Sequence, residues 1–198
     1  MEKGPPRLLR FIALLTTLGF LLSWPSGCQR APAPAPPAAG VSEHLRGFSF
    51  EHFSPAGTMT LTAESAEFGA DKKNGSLERP GLAIRSTDSV IEITTGPGAT
   101  AKMSFGQNRE EILSILMEGT IRIVQKDIKS GAVQMEARCG KLTYRGQNST
   151  LMLEKNPVVT RGTNTFSGDT ITYFVKDQSL EMEGKINGVI APDNSIAP

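Results

Sequence analysis

The 198-residue chain is poor in the residues that carry most protein chemistry. Two Cys and two His would just make up the four ligands of one zinc module, but Cys28 and Cys139 lie far apart in the sequence, outside the short spacing such a module uses. His44 and His52 lie eight apart with no Cys or carboxylate in a ligand pattern, and no cofactor is expected. Charge of one sign is also missing. Lys plus Arg number 21 and Asp plus Glu 20, so no positive surplus exists to displace counterions, and nucleic acid is excluded as a partner. Aromatics are scarce at 6%. The chain shows no nucleophile–base pair, no phosphate-binding glycine loop and no suitably spaced pair of carboxylates. Asp169 follows Gly168 without a His or Lys constellation, so the chain does not read as an enzyme. Twenty Gly and thirteen Pro argue for many turns and against a helical bundle.

The amino end reads as an address. Lys3, Arg7 and Arg10 precede an apolar run over residues 11–24 (FIALLTTLGFLLSW) that falls short of the ~20 residues of a spanning helix. It fits the apolar core of a secretory signal. Pro25-Ser26-Gly27-Cys28 follows, small residues before a Cys that resemble a bacterial lipobox, with Pro25 where Leu is usual. Three readings stand: lipidation at Cys28, an uncleaved anchor lengthened by Leu8 and Leu9, or a cleaved soluble form. All three send the rest of the chain across the inner membrane, the basic flank staying inside. Residues 31–39 (APAPAPPAA) form a stiff polyproline spacer. The expected organisation is a signal or anchor over 1–28, a linker over 29–44, a domain over 45–190 and a tail over 191–198.

The body of the chain is β in pattern. Met59, Leu61 and Ala63 alternate with threonines and Glu64; Ile121 and Ile123, Val133, Met135 and Ala137, Leu151 and Leu153, and Leu180 and Met182 alternate likewise. Residues 108–116 (NREEILSIL) are the one stretch with helical spacing, and they suit a strand equally. Cys139 keeps phase with Met135 and Ala137 and reads as a buried small hydrophobe. A unit also repeats. Lys141-Leu-Thr-Tyr144, a Gly-Gln-Asn-Ser turn and Leu151-Met-Leu-Glu154 align without a gap on Thr170-Ile-Thr-Tyr173, Lys-Asp-Gln and Leu180-Glu-Met-Glu183. Looser copies run from Lys102-Met-Ser-Phe105 into 113–118, and from Ser65-Ala-Glu-Phe68 through Asn74-Gly75 to Leu77-Glu78. Each unit reads as strand, tight turn, strand, with Asn, Asp and Gly suited to left-handed turn positions. Asn148-Ser149-Thr150, a glycosylation-like triplet, is explained by that turn chemistry.

Residues from about 135 to 190 resemble the OstA-like domain of lipopolysaccharide export. The resemblance rests on residues 137–144, 151–154, 156–162 (NPVVTRG), 167–173 (SGDTITY) and 180–184. Residues 47–84, with Gly47-Phe-Ser-Phe50, Gly57 and 61–68 (LTAESAEF), resemble the first half of LptC, and the tether plus one domain of this size also resembles LptC more than the soluble shuttle LptA. The lipobox-like Cys28 departs from the usual single-helix LptC anchor. The family implies a folded-over antiparallel sheet, a β-jellyroll or taco, enclosing a greasy groove open at both ends. It also implies a function: a tethered conduit on the periplasmic side of the inner membrane. Such a conduit receives lipopolysaccharide from an inner-membrane ABC exporter and passes it to an LptA-like bridge protein. An LptA-like shuttle, or an envelope lipoprotein that only touches other proteins, are the alternatives.

A multi-acyl lipid must hide much apolar surface, at roughly 25 cal/mol per Å². The candidate lipid-facing residues are Leu61, Phe68, Ile121, Ile123, Met135, Leu142, Tyr144, Leu151, Leu153, Phe166, Ile171, Tyr173, Leu180 and Met182, with Ala63 and Ala137 between them. The bland reading of the same set is a sealed sandwich core. The terminal strands are the natural free edges for β-augmentation. Residues 45–53, with Phe48 and Phe50, would face the exporter; residues 179–190, with Leu180, Met182 and Ile186, would face the bridge protein.

Overall fold

The computed structural model describes residues 43–54, 57–107 and 111–190. The expectations for the signal or anchor, Cys28, the linker up to residue 42 and the 191–198 tail lie outside the described residues. Among the described residues fourteen strands form one antiparallel sheet: β1 (Glu43–Ser54), β2 (Gly57–Phe68), β3 (Asn74–Glu78), β4 (Gly81–Arg85), β5 (Ser89–Thr95), β6 (Thr100–Phe105), β7 (Ile112–Asp127), β8 (Val133–Arg145), β9 (Thr150–Glu154), β10 (Val158–Arg161), β11 (Asn164–Ser167), β12 (Thr170–Phe174), β13 (Ser179–Glu183) and β14 (Asn187–Val189). The all-β, folded-over sheet that alternation and resemblance predict is what the chain forms. The 108–116 stretch resolves accordingly: from Ile112 onward it is β7.

The pairing reduces to a simple rule. The chain makes nine long passes, each lying antiparallel to the one before it: β1, β2, β3 with β4, β5 with β6, β7, β8, β9 with β10, β11 with β12, and β13 with β14. Every pass bends near its middle. Arg79-Pro80 separates β3 from β4, Gly96-Pro97-Gly98-Ala99 separates β5 from β6, and Asn156-Pro157 lies between β9 and β10. Proline removes a ladder donor, so it suits an interruption and not a continuous strand. β7 passes the bend unbroken at Gly119, whose φ of +127° only glycine adopts readily and whose pro-Cβ position would lie 2.8 Å from Ala99 Cβ. The passes stay stitched across the bends. Arg79 N–H donates to Ala99 O, Gly96 N–H to Thr120 O, Gly140 N–H to Lys155 O and Asp169 N–H to Glu183 O, at 2.8–3.0 Å.

The line of bends divides the sheet into two halves. The first holds β3, β6, β9, β12 and β13 with the adjoining parts of β2, β7 and β8. The second holds β4, β5, β10, β11 and β14 with the other parts of the same strands. Crossing the bend also changes which parity faces inward. On β2 the buried positions run Met59, Leu61, Ala63 and then Ala66, Phe68; on β8 they run Met135, Ala137, Cys139 and then Leu142, Tyr144. This shift keeps the apolar set inside on both halves, whose inner faces merge into one buried cluster.

Candidate functional site

The four repeat copies become four hairpins at the same end of the first half-sheet. Phe68, Tyr144 and Tyr173 stand opposite Gly75, Leu151 and Leu180, seven residues on in each case. Phe105 pairs with Ile112 at the same spacing. A bulge there throws Leu113 outward, so the third copy re-enters the sheet at Ile112 and not at residue 113. The left-handed turn positions are Lys72, Ser149 and Gln178, not the Asn, Asp or Gly that turn chemistry predicts. Gly75 is needed for another reason: the Phe68 ring lies over it, 2.6 Å from where a Cβ would stand.

Register turns the interior into rows. In the first half-sheet one row runs Phe68, Gly75, Met103, Ile115, Tyr144, Leu151, Tyr173, Leu180, each directly opposite the next. A second runs Ala66, Leu77, Ala101, Met117, Leu142, Leu153, Ile171, Met182. In the other half-sheet a third runs Phe50, Leu61, Leu82, Ile93, Ile123, Ala137, Val159, Phe166, Gly188. Neighbouring strands stand about 4.8 Å apart. Each row is therefore a continuous apolar stripe, the first two running from β2 to β13 and the third from β1 to β14; on β1 Leu45 stands opposite Ala66 and extends the second row, whereas Glu43 stands opposite Phe68 and ends the first.

Of the fourteen candidate residues, Leu61, Phe68, Ile121, Ile123, Met135, Leu142, Tyr144, Leu151, Leu153, Ile171 and Tyr173 are buried on these inner faces. Phe166, Leu180 and Met182 are half-buried towards the carboxyl edge. Val133, in phase with Met135 in the sequence, is exposed because the β7–β8 register slips between Gln125 and Lys126. Sequence reasoning left out Leu82, Ile84, Ile91 and Ile93, whose own alternation over β4 and β5 was the available signal. It also missed Gln125, a buried amide in the apolar wall between Ile91 and Met135. The Tyr173 hydroxyl donates to Gln125 Oε1 at 2.9 Å. Burial pushes the Tyr173 phenol up, against the opposing pulls of that bond and of Arg161.

The outer face is polar and paired. Lys141 reaches Glu154 and Lys155 reaches Glu118 at 2.8 Å, and Lys126 reaches Glu92 at 2.7 Å. The bond from Lys155 holds the Glu118 carboxyl below its ordinary value. Pairs that water reaches are screened by it, and these mark a solvated surface with the Lys141–Glu154 pair half-buried. Cys139 is a buried free thiol whose pKa burial raises to about 11, which keeps it protonated and unreactive. Among the described residues no group of three or more His, Cys, Asp or Glu converges as a metal site would require.

The two ends of the interior differ. At the amino edge the Phe50 and Phe105 rings meet edge-on at 5.4 Å and Phe48 lies 5.6 Å from Phe68, so an aromatic cluster joins the two half-sheets. Phe48 and Phe50 are half-buried in it. At the carboxyl edge Ile186, Val189 and Ile190 are exposed. Among the described residues β1 has one ladder neighbour, as do β13 and β14, so both edges carry unpaired backbone groups.

No curated protein matches the sequence. Among solved structures, the fold is similar to the crystal structure of LptH, the LptA-homologous periplasmic component of the lipopolysaccharide transport device from Pseudomonas aeruginosa. The TM-score is 0.53 and the identity 18%, over 71% of this chain and 99% of that one. A family model described as LptA/(LptD N-terminal domain) LPS transport protein matches residues 56–179, well over half the chain. Those residues hold all four repeat hairpins up to the last strand, and the chain belongs to the LptA/LptD N-terminal-domain family of lipopolysaccharide transport proteins.

Proposed function

We propose that the interior of this domain holds the acyl chains of lipopolysaccharide and that the rows are the track along which they move. The observation that carries this reading is their continuity: stripes of Leu, Ile, Met, Phe and Tyr reach from β2 to β13 without a polar interruption. A sealed core needs burial but not uniform stripes. A sliding cargo needs a wall that is equally greasy at every step and nowhere binds tightly. The free edges extend the reading. β1, with Phe48 and Phe50, would accept a strand from the inner-membrane ABC exporter, and β13–β14, with Leu180, Met182 and Ile186, a strand from an LptA-like bridge protein. The residue 1–28 segment would tether the domain to the periplasmic face of the inner membrane, through a lipidated Cys28 or an uncleaved apolar segment. The matched family model and solved structure carry the LptA name, and that favours an untethered shuttle as the second reading.

The test places a photo-crosslinking amino acid at buried Tyr144 or at exposed Arg145 in the full-length chain, followed by irradiation with lipopolysaccharide. Adducts at 144 and not at 145 are expected. A clean 144 with the fold intact would make the interior a core and leave only protein contacts. The two attachment readings separate by whether the chain sediments with inner membranes and loses that behaviour on Cys28→Ser.

A further inference from the structure

The hairpin tips of the two half-sheets form two facing lips. The lip of the first carries the turns after Phe68, Phe105, Tyr144 and Phe174; that of the second carries the turns after Arg85, Asp127 and Arg161. Among the described residues all the strand ladders run within a half-sheet or along the bends, and none joins the lips. Backbone bonds between neighbouring tips run within a lip: Val175 N–H donates to Ser149 O in the first, and Ile128 N–H to Asp88 O in the second. What crosses near the carboxyl end is a chain of side-chain bonds. Tyr173, from the first lip, donates to Gln125 Oε1 of the second at 2.9 Å. Gln125 Nε2 donates back to Gln178 Oε1 at 3.3 Å. Arg161 Nη1 donates to the Gln178 carbonyl at 3.3 Å.

We infer that the seam between the lips is the side door through which acyl chains reach the interior, and that Tyr173, Gln125 and Gln178 are its latch. The inference rests on the lipid-holding reading of the interior. Separating any two adjacent strands breaks a backbone ladder. Separating the lips here breaks no ladder, only a few side-chain bonds and the apolar contacts between the inner faces, which an entering acyl chain replaces, so the seam is the joint that lipid opens most cheaply. The latch also sits where packing alone has no use for it. Gln125 occupies an inward position flanked by Ile91 and Met135, where an aliphatic residue would fit the stripe. A buried amide bonded to a buried phenol holds one arrangement, and it becomes costly once the partner leaves. Such a joint has two states, shut and bonded or open with the interior filled. A shut protein binds lipid only in the fraction of molecules that are open, so weakening the latch strengthens apparent binding in proportion.

The test uses the full-length chain with Tyr173→Phe, which keeps the ring, and Gln178→Asn, which keeps a residue tolerant of the left-handed turn. Backbone hydrogen exchange is read without lipid. Uptake of lipopolysaccharide labelled on its saccharide is read separately. Loss of one such bond is expected to raise exchange over 174–180 and 124–128 by roughly three- to tenfold, and to speed and tighten lipid uptake by a similar factor. Exchange across the bends of β7 and β8 should not change. A residue that merely supports the fold would weaken binding when altered, the opposite sign. Unchanged lip exchange in both variants overturns the latch. Faster lip exchange with unchanged or slower uptake overturns the door. Faster lip exchange with no uptake by any chain, the unaltered one included, leaves the latch standing and removes the lipid reading instead.

Discussion

Gly119→Ala should destabilise the molecule at its bend. β7 turns there with φ +127°, and an added Cβ would stand 2.8 Å from Ala99 Cβ and 3.0 Å from its Cα. The backbone strain alone is worth about 1–3 kcal/mol. Forcing the methyl against Ala99, which is buried and bonded through its carbonyl to Arg79, adds about 1–3 kcal/mol more. The expected loss of ~2–6 kcal/mol is large against the 5–15 kcal/mol of a typical domain. Gly131→Ala is the comparison. Its φ is +70° with open space around it, so only the left-handed penalty of about 1–2 kcal/mol applies. Urea unfolding followed by circular dichroism reads both as a shift in midpoint at constant slope. Pairing Gly119→Ala with Ala99→Gly should recover the part of the steric cost due to the Ala99 methyl and leave the strain and the contact with the residue 99 Cα. Equal losses at 119 and 131, or no recovery in the pair, would refute the claim that the fold depends on this close approach.

Three further outcomes can be checked. Leu142→Ala, in the middle of the second row, should cost about 2–5 kcal/mol by denaturant melt, while Arg145→Ala three residues on should stay within about 0.5 kcal/mol. Cys139 ionises near 9 when unfolded and at about 11 when folded, so between those values the unfolded state loses its proton first. Stability should fall as pH rises from about 9 to 11, and Cys139→Ala should remove that part of the slope; in a Cys28→Ser background, a thiol reagent at pH 8 should react only as fast as the chain opens. Lysines at exposed Ile186 and Val189 should leave the melt within about 0.5 kcal/mol but abolish any concentration-dependent association in sedimentation velocity, since charge on an edge strand blocks pairing.

The first half-sheet was the more legible in the sequence, while in the second the alternation of Met59–Ala63, Ile121–Ile123 and Met135–Ala137 was read and that of β4 and β5 was not. The hairpins of the first half-sheet announce themselves because an aromatic at the strand end and its partner seven residues later recur four times, at Phe68, Phe105, Tyr144 and Tyr173. The second half-sheet is written more faintly. β10, β11 and β14 are three or four residues long, and β11 carries Asn, Thr and Ser around a single inward Phe166. The bends were illegible for a physical reason. An alternation that skips a beat between Ala63 and Ala66, or between Cys139 and Leu142, reads as the end of a strand when it is one strand changing face. Eleven of the fourteen candidate residues nevertheless fall on the buried inner faces, because parity within the short runs matches the sheet except at Val133, where the register slips. The Gln125–Tyr173 bond spans 48 residues and has no local signature at all. Lys72, Ser149 and Gln178 show the limit of turn chemistry, since hairpin register imposes the left-handed conformation on whichever residue occupies the position.

The uniform pass-by-pass order has a metric consequence. Nine passes at about 4.8 Å make each domain contribute roughly 40 Å along the direction of the stripes. Because no pass crosses over another, both end strands lie at the extremes of that length and leave the whole of it available. Copies or relatives joined at those ends would extend the greasy wall in equal steps, without changing its width or interrupting its pattern. The distance such a row covers would then be set by the number of units in it and not by the sequence of any one of them.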